Sequence, residues 1–279
     1  MAPPSNLAVV LCHGSYHTPA PYGPLLEALQ ARGIAAHCPQ LPTADLAKLN
    51  VGDVQNPDFD REPPAGGYPQ GEEDTEAVLG VLKPLVEAGK EVLLVGHSSG
   101  GWVATQAAQH DLQAKVRKSK GLAGGVIGIL YAGAFVIPVG ESIHSFFQPK
   151  DGTFVTPPFM KFHKHGAAGL GTIVNAEQFL FNDLDAAVAK EWAAGLTASP
   201  ILTTKLTNDA YSALPCGYLV LDGDLTLPRE YQLGMASLLS SKTGSSSIYH
   251  CPAGHSPHLS WTEGMVDTIR TFAEGIKAE

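Results

Sequence analysis

The chain has 279 residues, 44% hydrophobic and 16% charged, with 30 Gly and 21 Pro; it is too long for a cross-linked miniprotein and too apolar for a disordered chain. Eighteen basic against 27 acidic residues give a formal net charge of -9, so the overall field opposes nucleic acid as a partner. Four scattered cysteines, Cys12, Cys38, Cys216 and Cys251, form no CxxC pair and suit small buried hydrophobes better than a disulfide frame or a zinc site.

The N-terminus, MAPPSNLAVVLCHG, has no basic segment and only a short apolar run, so no signal peptide is expected. That run predicts a strand over Leu7 to Cys12, followed by a helix over Tyr22 to Arg32 and a strand over Ile34 to Cys38. Residues 50–71 contain QNPDF and EPPAGGYPQG and predict a long loop. From 50 to 76, eight acids stand against one base, Arg61. Two readings are open: a solvated loop entering an acidic first helical turn favoured by the helix dipole, or an electrostatic filter at a site entrance.

A helix over Glu72 to Ala88, a strand over Glu91 to Gly96, a helix over Ser99 to His110 and a strand over Val126 to Ala132 come next. The glycine-bearing apolar stretch from Gly121 to Val139 reads as this buried strand with its approaches, and no membrane partner is expected. The rhythm then breaks until a strand over Gly217 to Asp222, a helix over Pro228 to Ser240, a strand over Ser246 to Cys251 and a helix over Trp261 to Lys277. Short apolar runs alternating with amphipathic stretches predict a doubly wound α/β fold, its parallel sheet having about six strands. Residues 1–137 and 215–279 form the expected core, and 138–214 an inserted, mainly helical cap. A cytoplasmic location is expected, and a homodimer is left open.

The segment EVLLVGHSSGGWVATQAA, residues 91–108, places G-x-S-x-G between a strand and a helix, the context of a nucleophile elbow with Ser98 at its apex. An oxyanion site needs the N–H after the nucleophile, from Ser99, and a second from the loop after an earlier strand, where Ser15 follows His13-Gly14. The acid belongs after a later strand, and YLVLDGDLTLP offers Asp222 and Asp224. The base belongs after the next strand, where IYHCPAGHSPHLS offers His250, His255 and His258, with His255 best placed.

Around these residues, Gly14, His17 and His97 are candidates for the pocket wall, although such histidines also serve as backbone supports. The insertion holds Phe146, Phe147, Phe154, Phe159, Phe162, Phe179 and Phe181. These rings either form the insertion's own core or roof an apolar pocket; Phe146, Phe147, Phe159, Phe179 and Phe181 are the candidate substrate contacts. No HExxH, Walker or dinucleotide motif is present, and neither a metal nor another cofactor is expected.

HG at 13–14, GHSSGG at 96–101, YLVLDGD and AGHSPHLS together resemble the α/β-hydrolase superfamily, in particular its plant hydroxynitrile lyase and methylesterase branch with fungal relatives. The resemblance implies six parallel strands in the order 2-1-3-4-5-6, the catalytic acid at Asp224 and the histidine at His255. FLFNDLDAAVAKEW, residues 179–192, is similar to a cap element of fungal members. The lyases of that branch carry a threonine where Gly14 stands and a lysine where Ser256 stands. A neutral serine beside the histidine offers no cation to an expelled anion. The expected activity is therefore a serine hydrolase acting on a carboxylic ester or lactone of a small hydrophobic or aromatic compound. A lyase or dehydratase on the same residues, or a ligand receptor with little turnover, are the alternatives.

Overall fold

In β1 (Leu7–Cys12), Ala8, Val10 and Cys12 join one apolar cluster while Leu7, Val9 and Leu11 join another. A strand buried on both faces has to lie inside a sheet covered on each side, and successive side chains alternate between the two layers. The computed structural model describes residues 6–243 and 246–278; residues 1–5, part of the segment read for a signal peptide, lie outside these. After β1 come α1 (Gly23–Ala31), β2 (Ala35–His37), α2 (Gly71–Glu87), β3 (Glu91–His97), α3 (Gly100–Ala107), α4 (Ala114–Ser119) and β4 (Gly125–Ala132). The stretch 138–214 holds α5 (Ile143–Phe147), β5 (Met160–Phe162), β6 (Leu170–Ile173), α6 (Ala176–Phe179), α7 (Ala186–Ala194) and β7 (Ser199–Pro200). Then follow β8 (Cys216–Leu221), α8 (Arg229–Thr243), β9 (Ser247–Cys251), α9 (Pro257–Ser260) and α10 (Thr262–Ala278).

The main sheet runs β2-β1-β3-β4-β8-β9, every neighbouring pair parallel. One face packs on α2, α3 and α8 through residues such as Leu82, Val103 and Met235. The other packs on α1 and α10, where Met265, Val266, Ile269, Phe272 and Ala273 form the apolar stripe that helical spacing requires. Parallel strands connected this way put all their carboxyl ends on one edge, and that edge carries the loops with the candidate residues.

Two elements escaped the sequence reading. The helix after the elbow stops at Ala107, and α4 follows as a separate unit; its sequence AKVRKS has too few apolar residues to show a period. Besides its short helices, the insertion contains an antiparallel sheet β5-β6-β7, whose strands are too brief for alternation to stand out. Residues 51–70 carry no helix or strand. Among the described residues, no helix is long and apolar enough to cross a membrane.

Candidate active site

Ser98 occupies the turn between β3 and α3 with φ 52, a left-handed conformation that costs a non-glycine residue roughly 1–2 kcal/mol. Close packing enforces it. A Cβ on Gly100 would lie 2.0 Å from the Cys12 carbonyl oxygen, and one on Gly96 would lie 2.6 Å from Gly101 Cα. The Ser98 carbonyl accepts from the N–H groups of Gly101 at 3.1 Å and Phe135 at 2.8 Å, so the apex is held from two loops.

His255, which lines the same cavity as Ser98, meets Asp224. His255 Nδ1 and Asp224 Oδ2 are 2.8 Å apart, and both side chains are buried. The carboxylate is fixed by its own turn, since Oδ1 accepts from the N–H groups of Thr226 at 2.8 Å and Leu227 at 2.9 Å. Gln232 Nε2 adds a contact at 3.4 Å to Oδ2. Because a carboxylate only accepts, His255 carries its proton on Nδ1 and leaves Nε2 free to act as an acceptor. Asp222 points elsewhere: it is partly exposed, 2.7 Å from Arg229 Nε and 3.2 Å from His250 Nδ1. Burial alone would raise its carboxyl, but Arg229 and His250 outweigh that and hold it below the ordinary value.

The loop after β1 is shaped by two histidines. His13 donates from Nδ1 to the Gly14 carbonyl at 2.9 Å while its Nε2 accepts from Leu41 N–H at 3.0 Å. His17 donates from Nδ1 to the Ser15 carbonyl at 2.8 Å. Burial pushes the two rings down to about 4 and about 3 respectively, against a weaker opposing effect of those same bonds. With the Gly14 carbonyl clamped, peptide planarity directs the Ser15 N–H the other way, and it donates to Ser99 Oγ at 2.7 Å. The Ser15 hydroxyl donates to the same oxygen at 2.8 Å. A Cβ on Gly14 would sit 3.0 Å from Ser98 Cβ, a tight approach that the glycine avoids.

Ser15, His17, Ser98 and His255 open into one cavity of about 400 Å³, a size suited to a small organic ligand. Phe147 and Phe159 line it as expected, joined by Phe135, Ile143, Phe154, Phe162, Leu225 and Tyr231. The other expected contacts lie elsewhere. Phe181 is fully buried with Ala176, Leu180 and Ala189, and Phe179 packs on the same cluster. Phe146, one residue from Phe147 on α5, turns instead toward Met235 and Leu238, because neighbours on a helix point about 100° apart. His97 lies behind the cavity, 2.7 Å from the Tyr22 hydroxyl and 2.7 Å from the His255 carbonyl.

No residue of 50–76 lines the cavity, so the entrance-filter reading of the acidic stretch has no geometric support. Asp60 Oδ1 accepts from the Lys164 N–H at 2.8 Å and Glu62 Oε2 lies 3.7 Å from His165 Nδ1. The acids meet the insertion's basic hairpin. A role the sequence did not reveal belongs to the FLFNDLD element. Asn182 Nδ2 donates to the Gly223 carbonyl at 3.1 Å, and Asp183 Oδ2 accepts from the Gly254 N–H at 2.7 Å. Consecutive residues of the insertion thus pin the loops that carry Asp224 and His255.

Residues 9–268 match the alpha/beta hydrolase family. The chain belongs to that family. The alpha/beta hydrolase nvfD of Aspergillus novofumigatus (strain IBT 16806) is 29% identical over 278 residues, spanning 95% of this chain and 96% of that protein. A crystal structure of the pyrethroid hydrolase PytH matches with a TM-score of 0.69 at 19% identity, covering 98% of each chain. The methylesterase MES16 from Arabidopsis matches with a TM-score of 0.63 at 16% identity, covering 96% of this alpha/beta hydrolase and 99% of the other chain. At such identities the structural likeness speaks to the fold alone. The expected kinship with fungal alpha/beta hydrolases stands, and with the plant methylesterase the chain shares the fold.

Proposed function

We propose that the protein is a serine hydrolase that cleaves a carboxylic ester or lactone of a small hydrophobic or aromatic compound. The observation that carries this reading is that His255, paired with the buried Asp224, lines one apolar cavity together with Ser98. Ser98 Oγ attacks the carbonyl carbon while His255 Nε2 takes its proton, and Asp224 holds the Nδ1 proton and steadies the imidazolium. The oxyanion is received by the N–H groups of Ser15 and Ser99. Since Ser15 N–H rests on Ser99 Oγ, the oxyanion replaces that hydroxyl as acceptor, with Ser99 turning about χ1 and releasing the Ser15 hydroxyl as well. His255 then returns the proton to the leaving alkoxide, and water, deprotonated by the same nitrogen, cleaves the acyl-enzyme. An aromatic methyl ester, a macrolactone or a pyrethroid, the compound in the name of the hydrolase PytH, falls within the class the cavity suits. Gly14 and the neutral, buried Ser256 favour hydrolysis over cyanohydrin cleavage, which would benefit from a cation at that place.

The test uses an aromatic methyl ester, a p-nitrophenyl acyl ester, a macrolactone and mandelonitrile, with a fluorophosphonate probe read by intact mass. Wild type is expected to hydrolyse at least one ester or lactone and to take up one probe at Ser98. Ser98→Ala is expected to lower kcat by roughly 10⁴ to 10⁶ and to abolish labelling. Unchanged turnover by Ser98→Ala overturns the reading. So does cyanide release from mandelonitrile without hydrolysis of any ester or lactone.

A further inference from the structure

Besides the loop after β8 with Asp224, three loops supply groups of the proposed reaction: the one after β1 with Ser15, the elbow after β3 with Ser98, and the one after β9 with His255. A single chain of hydrogen bonds behind the cavity joins all three. The Gly14 N–H donates to the Tyr22 hydroxyl oxygen at 3.1 Å, that hydroxyl lies 2.7 Å from His97 Nδ1, and His97 Nε2 lies 2.7 Å from the His255 carbonyl oxygen. Tyr22 and His97 are buried, and neither lines the cavity.

The direction of each bond follows from the two ends. A carbonyl only accepts, so His97 carries hydrogen on Nε2. Tyr22 already accepts from Gly14, so its own hydrogen points to His97 Nδ1, which must be the bare nitrogen. Both ends demand the same neutral tautomer. Burial, reinforced by the neighbouring His255, His258 and His17, holds His97 well below its ordinary value and keeps it neutral. His258 stacks on Tyr22 with centroids 4.0 Å apart, which fixes the phenol ring.

We propose that Tyr22 and His97 are positioning residues, a relay that sets the loop of Ser15 and the main chain of His255 in register with Ser98. The inference rests on the hydrolase reading above. His97 is the residue before the nucleophile, so the same strand end that presents Ser98 also fixes the base and, through Tyr22, the oxyanion loop. A displacement of about 1 Å among reacting groups costs about a hundredfold in rate; the Ser15–Ser99 bonds tie the first loop to the elbow, and this relay carries the tie on to the main chain of His255. Tyr22→Phe removes one oxygen but leaves two polar atoms, Gly14 N–H and His97 Nδ1, without partners.

The experiment compares Tyr22→Phe, His97→Ala, His97→Gln and Tyr22→Phe/His97→Ala with wild type and Ser98→Ala on a p-nitrophenyl acyl ester, with thermal melts alongside. The expected result is a fall in kcat of about tenfold for Tyr22→Phe and about a hundredfold for His97→Ala, with KM within twofold. His97→Gln, whose amide nitrogen replaces Nε2 as donor, should recover part of the loss, and the double variant should be no worse than His97→Ala. Fluorophosphonate labelling of Ser98 should slow in parallel with kcat. In ¹⁵N-labelled wild type, which needs no variant to fold, His97 should show a protonated Nε2 and a bare Nδ1. Wild-type kcat in folded His97→Ala or Tyr22→Phe, while Ser98→Ala is inactive, overturns the relay, as does the opposite tautomer. Turnover by Ser98→Ala instead overturns the hydrolase reading, leaving the two failures distinct.

Discussion

Beneath the cavity, the Asp224 carboxylate alone takes part in four hydrogen bonds, to Thr226, Leu227, His255 and Gln232. Above it, Ile143, Phe147, Phe154, Phe159 and Phe162 meet the same space through rings and alkyl groups, with Phe154 still 48% exposed. A buried polar group left unpaired costs about 1–3 kcal/mol, so the Asp224–His255 pair has essentially one satisfactory arrangement. Apolar contacts are non-directional, and a partly exposed roof can repack around ligands of different outline. On the proposed reading, the floor sets what reaction occurs, and the roof sets on what.

The largest test of the floor is the pair of aspartates that differ only by two positions. Asp224→Asn keeps the shape but loses the charge that steadies the imidazolium and fixes its tautomer, so kcat should fall by about 10⁴ with the fold intact. Asp222→Asn breaks an exposed contact with Arg229 and His250, worth at most about 1 kcal/mol, and should leave kcat within a few-fold. Steady-state kinetics beside thermal melts decide this. A severe loss in Asp222→Asn with an active Asp224→Asn would exchange the two assignments.

The second test is acid. Burial first of all lowers His13 to about 4 and His17 to about 3, and holds His97 and His258 well below their ordinary 6.5. Between 6.5 and those lowered values the unfolded chain binds protons that the folded one refuses. Stability is thus fully present above 6.5 and is lost as pH falls through that window, each group contributing a slope of about 1.4 kcal/mol per pH unit. Asp74 runs the other way: burial pushes it up to about 6 against opposing bonds from Thr43, so between 3.8 and 6 it offsets one histidine of the four. Tm should fall steeply from pH 6.5 to 4.5 and change little from 7 to 8. A Tm that stays level from pH 7 to pH 5 would mean that the floor accepts protons without opening.

The two regions also differed in how far the sequence revealed them. The elbow was readable because its strain and close packing demand particular residues within five positions, Gly96, Ser98 and Gly100 among them. The number of strands and the place of His255 followed from periodicity and chain order, whereas the strand order was implied by the family resemblance. Asp222 and Asp224 could not be separated that way, since DGD puts both at the strand end. The choice is made by a turn in which Thr226 and Leu227 donate to the second. The Tyr22–His97 contact joins residues 75 apart, and no local pattern announces it. In the insertion, composition told that rings gather there, but not which way each one faces.

That last gap gives the smallest and most selective test. Phe159 lines the cavity, while Phe146 contributes an equal ring to an apolar groove on the far side of α5. Burying such a ring against a ligand is worth roughly 1.5–3 kcal/mol, and 1.4 kcal/mol is about tenfold in an equilibrium. Phe159→Ala should therefore lower kcat/KM for a bulky aromatic ester by about ten- to a hundredfold, mostly through KM, while an acetate ester too short to reach the roof changes less than twofold. Phe146→Ala should lose some stability, because its ring packs against the core beside Met235, without changing the preference between the two esters. Ratios of kcat/KM for the two substrates, measured in both variants, separate the roles. Equal shifts of preference in both, or none in either, would take substrate choice away from the roof and return it to the floor, where Tyr16 and His17 are among the remaining walls.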